Sequence, residues 1–270
     1  MILGLHLLAF LLYATAWVLQ LRGFRGGKQP GISEVRVVGG GLAVHAAGLL
    51  LYALSYRSLP LVGLGPASSS LALFISLFVF AASLRTDLRA AGLFLLPMVL
   101  LLLGESVIVG IEPTGRQIAF RGPWFVLHVS AIFIGYAGLA AASAAAFMYV
   151  FQFRALKRKE FGSVFGFFPA LDSLDRLNKV GLAVGFPALS VGLLAGWSWT
   201  LTFGHGLALD KPGTILGIVT WGAYLVAIAA RSRPGPRGER AAAISVLAFL
   251  LTLVAFLALR ITASDAGFFL

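Results

Sequence analysis

This chain of 270 residues contains no cysteine. Disulfides, thiol redox relays, cysteine-ligated metals and any covalent cofactor linkage through cysteine are therefore excluded. Charge is scarce as well. Only 11% of the residues are Asp, Glu, Lys or Arg, where a soluble domain carries about 25%. Acids are the scarcer sign, ten against 21 Lys and Arg. No nucleophile–base pair, Walker loop or HExxH site stands in the sequence, so no enzyme chemistry is visible and a non-enzymatic protein is expected. Alternating strand patterns are missing too, which favours helices over a barrel.

What fills the chain is apolar. Hydrophobic residues make up 59% of it and the mean hydropathy is +0.95. A water-soluble fold could not hide that much apolar surface, because most of its helices need a polar face. Apolar stretches run approximately over 1–21, 37–56, 68–84, 90–110, 123–153, 180–202, 213–230 and 241–262. Each approaches the roughly 20 residues that cross a bilayer, and together they would use roughly 160 residues. The expected fold is all-α, a polytopic bundle of about eight transmembrane helices forming one membrane domain over residues 1–270. The fifth stretch is longer than a bilayer requires and should tilt or extend beyond it. Within the connector from Arg154 to Lys179, leucines 171, 174 and 177 alternate with charges. Their spacing predicts a short amphipathic helix lying on the membrane surface.

Basic residues set an orientation. With the N-terminus outside, the inner loops would hold Arg22, Arg25, Lys28 and Arg36, then Arg85 and Arg89. They would also hold Arg154, Lys157, Arg158, Lys159, Arg176 and Lys179, and finally Arg231, Arg233, Arg237 and Arg240. Only Arg57, Arg116, Arg121, Lys211 and Arg260 would remain outside. This asymmetry follows the positive-inside rule and places both termini on the outer side. The formal charge of +11 thus reports topology and contact with membrane lipids, and calls for no nucleic acid. No basic residue precedes the first apolar stretch, so residues 1–21 read as a retained helix with its N-terminus outside.

Gly181, Gly185, Gly192 and Gly196 fall on one face of the sixth stretch, and the fifth offers Ala140, Ala141, Ala144 and Ala145 as a matching surface. Close packing of these two helices is expected. Pro97 and Pro187 lie within helical stretches and should bend them.

Polar residues inside the apolar stretches carry the functional signal, because each is costly to bury. His6 sits near the outer end of the first stretch and His45 near the middle of the second. His128 lies about a turn and a half into the fifth, and His205 stands in the outer loop after the sixth. Trp124 precedes His128, and Trp197 and Trp199 precede His205. One reading is an interfacial aromatic belt with locally bonded histidines. The other is an outward pocket for a flat apolar cofactor with an imidazole ligand, for which haem is suited. Glu105 is the only acid deep in an apolar stretch. It is a protonation site, a partner for Arg116 or Arg121, or an interfacial acid.

Longer motifs point further. Leu127-His128-Val129-Ser130 and Gly135-Tyr136-Ala137 resemble the LHVS…SYA segment of the CcsA-type cytochrome c assembly proteins. Gln152-Phe153-Arg154 and the run from Leu171 to Asn178 resemble the linker of that family. Gly185-Phe186-Pro187 and Gly192-Leu193-Leu194-Ala195-Gly196 follow in the family's order. The resemblance covers about residues 120–262, and the eight-helix size is most similar to the HemX/YpjD branch. It implies a multi-pass protein of the bacterial inner (plasma) membrane that holds haem non-covalently at the outer face, alongside other cytochrome c assembly proteins. Of the family's haem histidines His128 alone has a matching position. The tryptophan-rich segment corresponds to Trp197–Trp221 with fewer tryptophans, and the histidine after it falls at Ala229. Haem ligation by His128 and His205, with Trp124, Trp197 and Trp199 around them, is the expectation. A HemX-type regulator or scaffold that carries no haem is the alternative. A small transporter is a third class, for which no convincing inverted repeat is seen.

Overall fold

The computed structural model describes residues 1–113, 122–160, 162–202, 212–232 and 238–262. Helices account for the regular structure among them: α1 (Ile2–Arg25), α2 (Ile32–Tyr56), α3 (Leu64–Ser83), α4 (Gly92–Val109), α5 (Pro123–Lys157), α6 (Ser163–Phe167), α7 (Leu171–Thr202), α8 (Pro212–Ser232) and α9 (Gly238–Thr262). A 3-10 turn, Thr86–Ala91, leads into α4. Among the described residues, eight helices are long and apolar enough to cross a membrane, as the hydropathy pattern predicts. In a bilayer only a helix or a closed barrel satisfies every backbone N–H and C=O, which is why so apolar a chain takes this form. α5 has 35 residues, about 50 Å at the usual rise, well beyond the hydrocarbon thickness of about 30 Å. Pro97 and Pro187 both sit inside unbroken helices.

Contacts separate the chain into two units, Met1–Gly115 with Phe147–Leu177, and Arg116–Ala146 with Asn178–Leu270. The divisions fall within α5 and within α7.

In unit 1, α1 packs on α2 and α4, and α3 packs on α2 and α4. Tyr13, Tyr52, Ile75, Leu95, Leu96 and Leu103 are the largest of its fully buried side chains from these helices. The apolar faces are interrupted by polar groups that find backbone partners. Trp17 Nε1 donates to the Leu93 carbonyl at 3.1 Å, and Ser70 donates to the Pro60 carbonyl at 2.5 Å. One end of the unit is closed by aromatics: Phe24 at the end of α1 meets Phe167 at 5.5 Å and Phe168 at 5.6 Å. Phe94 reaches both Phe147 and Phe168. At that same end Ser173 donates to Asp87 Oδ2 at 3.0 Å. The basic connectors after α1, before α4 and after α5 therefore share one side of unit 1, as the charge asymmetry requires.

The connector differs from expectation. Leu171–Asn178 does not form a separate helix on the membrane surface but is the first part of α7, continuous to Thr202. Leu174 and Leu177 are buried in protein. The leucine spacing marks an apolar face correctly, but Leu174 and Leu177 on it are covered by protein. No proline intervenes before Pro187 to stop the helix.

In unit 2, α5 and α7 run antiparallel with α8 and α9 beside them. Leu139, Ala142, Leu182, Leu189, Ala223, Tyr224, Ala227 and Ala248 form its core. The glycine stripe of α7 does pack on α5. A Cβ on Gly138 would come within 2.7 Å of Gly185 Cα, and one on Gly181 within 2.8 Å of the Ala142 backbone nitrogen. Backbones this close are possible only where side chains are missing. The partner face is His128, Ile132, Gly135, Gly138 and Ala142. Ala140, Ala141, Ala144 and Ala145 are buried but are not the residues that the glycine stripe meets.

Candidate functional site

At one end of unit 2 the start of α5 meets the later part of α7. Trp124, in the first turn of α5, donates its indole Nε1–H to the Ala195 carbonyl at 3.0 Å. One turn on, His128 Nδ1 lies 2.6 Å from the Gly192 carbonyl. A carbonyl only accepts, so Nδ1 carries the ring proton, and in the neutral imidazole Nε2 is left with a lone pair. Among the described residues no hydrogen-bond partner is found for that Nε2. Fixing one ring nitrogen to leave the other for a metal is how proteins orient histidine ligands.

Two glycines make the contact possible. A Cβ on Gly196 would stand 2.7 Å from His128 Cε1, and one on Gly192 would stand 2.8 Å from Ile132 Cδ1 and 3.0 Å from its backbone nitrogen. The imidazole thus occupies the space that a side chain at 196 would fill. His128 is half-buried. Trp124 and Trp197, at the same end of the α5–α7 pair, are 45% and 41% exposed. An imidazole held by Nδ1 and unbonded at Nε2 is a donor that could hold a haem iron.

Of the residues singled out by sequence, Trp124, His128 and Trp197 come to this end of the α5–α7 pair. His205 and the side chain of Trp199 lie outside the described residues. Trp221 is elsewhere: its Nε1–H donates to Ser190 Oγ at 3.0 Å and its ring packs on Phe186 at 5.6 Å, inside the core of unit 2. Tyr136 and Tyr224 are also internal. Tyr224 donates to the Gly135 carbonyl, stitching α8 to the same α5–α7 seam. Ala229 is exposed on α8.

Glu105 accepts a hydrogen bond from Ser68 at 2.9 Å, while Arg116 and Arg121 lie outside the described residues. Sequence alone presents His6 and His45 one at a time and does not show that they meet. Both are fully buried and both reach Ser69, at 3.0 and 2.9 Å. A signal was available in the cost of placing two imidazoles and three successive serines within apolar helices. Nothing in their spacing could pair them across three helices.

Comparison with known proteins places these features. A sequence model of the family described as "Cytochrome C assembly protein" matches residues 41–264, extending well before the 120–262 region in which the motifs are read. The chain is 26% identical over 155 residues to a cytochrome c biogenesis protein CcsA of Guillardia theta, covering 52% of this chain and 51% of that one. It is 25% identical over 226 residues to the CcsA protein of Heterosigma akashiwo, covering 70% and 69%. A 28.8 kDa protein of Azospirillum brasilense is 28% identical over 135 residues, half of each chain. The chain spans about half the length of the Guillardia relative and 39% of a CcsA protein of Chlamydomonas reinhardtii.

Proposed function

Because the chain belongs to the cytochrome c assembly protein family, we propose that it takes part in cytochrome c assembly as a membrane module that holds haem without a covalent bond. The observation that carries this reading is His128. Its Nδ1–H is committed to the Gly192 carbonyl, and its Nε2 lone pair would hold the haem iron. Bound there, haem would supply an iron centre with an open coordination chemistry that the protein's own side chains lack. Trp124 and Trp197 would cover the porphyrin edge at the membrane interface, a setting that suits indoles. Trp199 and His205 would complete the site, His205 as second ligand from the following loop. The role is binding and delivery, with no catalytic residue.

The same reading gives the orientation. The basic connectors that unit 1 gathers on one side would face the cytoplasm. Both termini and the His128 end of α5 would then face outward in a bacterial inner membrane. Haem would be presented to that side, with other assembly proteins as partners.

Ala229 favours a second reading. The resemblance calls for a histidine where this chain has a methyl group exposed on α8. A HemX-type regulator or scaffold that carries no haem would need none there. The visible spectrum of purified protein after incubation with haem separates the two. The haem reading expects a Soret band that His128→Ala abolishes and His205→Ala shifts or weakens. Absence of a band in the wild type under oxidising and reducing conditions leaves the scaffold reading.

A further inference from the structure

Unit 1 contains a buried cluster that haem handling leaves unused. His6 on α1 and His45 on α2 are fully buried and both turn Nε2 toward Ser69 Oγ on α3, at 3.0 and 2.9 Å. Their rings meet edge to face with centroids 5.5 Å apart. A hydroxyl has one hydrogen, so Ser69 donates to one ring and accepts from the other. The Ile2 carbonyl decides which. It lies 2.9 Å from His6 Nδ1 and can only accept, so that nitrogen carries the ring proton of His6. His6 Nε2 is then bare and accepts from Ser69. His45 must donate from Nε2, and its Nδ1 is left as a buried acceptor with no partner. The chain of bonds has a direction, from one open lone pair to one backbone carbonyl.

A clasp between helices would need one such bond; here three helices bury two imidazoles around one hydroxyl, at a cost the membrane interior makes high. Rings 5.5 Å apart with a hydroxyl between them leave no room for a macrocycle. No group of three or more His, Cys, Asp or Glu suited to a metal ion occurs among the described residues. A proton needs no cavity.

We propose that His6–Ser69–His45 is an intramembrane binding site for a single exchangeable proton. A proton arriving at His45 Nδ1 is matched by transfer of the His45 Nε2 hydrogen to Ser69 and of the Ser69 hydroxyl hydrogen to His6 Nε2. The product has His6 as imidazolium, donating from Nδ1 to the Ile2 carbonyl and from Nε2 to Ser69. Ser69 now donates to His45 Nε2, and His45 is neutral with its hydrogen on Nδ1. One N–H bond is gained, one positive charge is gained, and every other hydrogen is exchanged within existing bonds. Both N–H groups of the charged ring keep acceptors, which is what a buried cation requires. Titratable groups on the packed helices are Tyr13 on α1, with its ring 6.0 Å from that of His45, Tyr52 on α2 and Glu105 on α4. Glu105 is bonded to Ser68, the residue before Ser69, and offers the cluster a nearby acid.

The test is ¹⁵N NMR of the full-length protein, labelled at histidine and held in lipid nanodiscs, from about pH 8 to about pH 4. His6→Gln and His45→Gln spectra assign the two rings. At high pH the unprotonated nitrogen should be Nε2 in His6 and Nδ1 in His45. On acidification His6 should lose its unprotonated-nitrogen signal while that of His45 moves from Nδ1 to Nε2, with one midpoint for both. Ser69→Ala should abolish the shared midpoint. The proposal is overturned if neither ring changes over this range while the protein stays folded, since the cluster is then a static clasp. Independent midpoints for the two rings in the wild type overturn it equally. Both of these outcomes are measured on the wild-type protein, so they stand even where Ser69→Ala does not fold.

Discussion

The hydrogen bond from His128 Nδ1 to the Gly192 carbonyl, 2.6 Å long, joins α5 to α7 and decides which imidazole nitrogen is free. Gly196, one turn beyond Gly192, gives the ring its space. The glycine stripe of α7 is thus a packing surface along most of its length and the seat of a histidine at one end.

Those two roles can be separated by substitution. Gly192→Ala puts a methyl group 3.0 Å from the Ile132 backbone nitrogen, which cannot move without shifting α5. It should destabilise the protein by about 1–3 kcal/mol, the usual cost of overpacking, read as a lower melting temperature in detergent. Gly196→Ala meets only the edge of the His128 ring. It should leave melting less affected but displace the imidazole and weaken haem binding at least about tenfold, or about 1.4 kcal/mol, read by Soret titration. Equal melting losses in both variants, with haem affinity unchanged in Gly196→Ala, would show that the ring position does not depend on this glycine.

Leu174 distinguishes a helix start packed in protein from one lying on lipid. It is fully buried, and Leu177 is buried as well. Leu174→Ala should cost about 2–5 kcal/mol, as for other buried leucines, measured by thermal or denaturant unfolding in micelles. A loss below about 0.5 kcal/mol, typical of exposed sites, would return this segment to the membrane surface.

Because the chain has no cysteine, single cysteines report topology without background. Ser163→Cys in α6 and His205→Cys between α7 and α8 should label from opposite sides of sealed vesicles, Ser163→Cys from the cytoplasmic side. Labelling of both from one side would overturn the topology, and Ser163→Cys labelling from the outer side alone would reverse it.

Composition and hydropathy made the architecture legible from the sequence: with so few charges, each apolar run has only a membrane helix open to it. The glycine spacing announced a close helix pair because close approach requires small side chains at i and i+4 wherever the partner lies. His128 could be singled out because it stands in a motif, and motifs are local. The start of α7 could not be read correctly, since a leucine face looks the same whether it meets lipid or protein.

The sequence by itself therefore determined the number of spans and the residue types available for chemistry. Tertiary structure alone decided which polar residues meet. His6, His45 and Ser69 come from three helices separated by long stretches of chain. Their hydrogen bonds depend on how those helices rotate about their axes, a choice made by packing across the whole unit and not encoded in any local spacing. The free nitrogen of His128 was decided in the same way, by a carbonyl 64 residues further along the chain that only the antiparallel α5–α7 contact brings within reach.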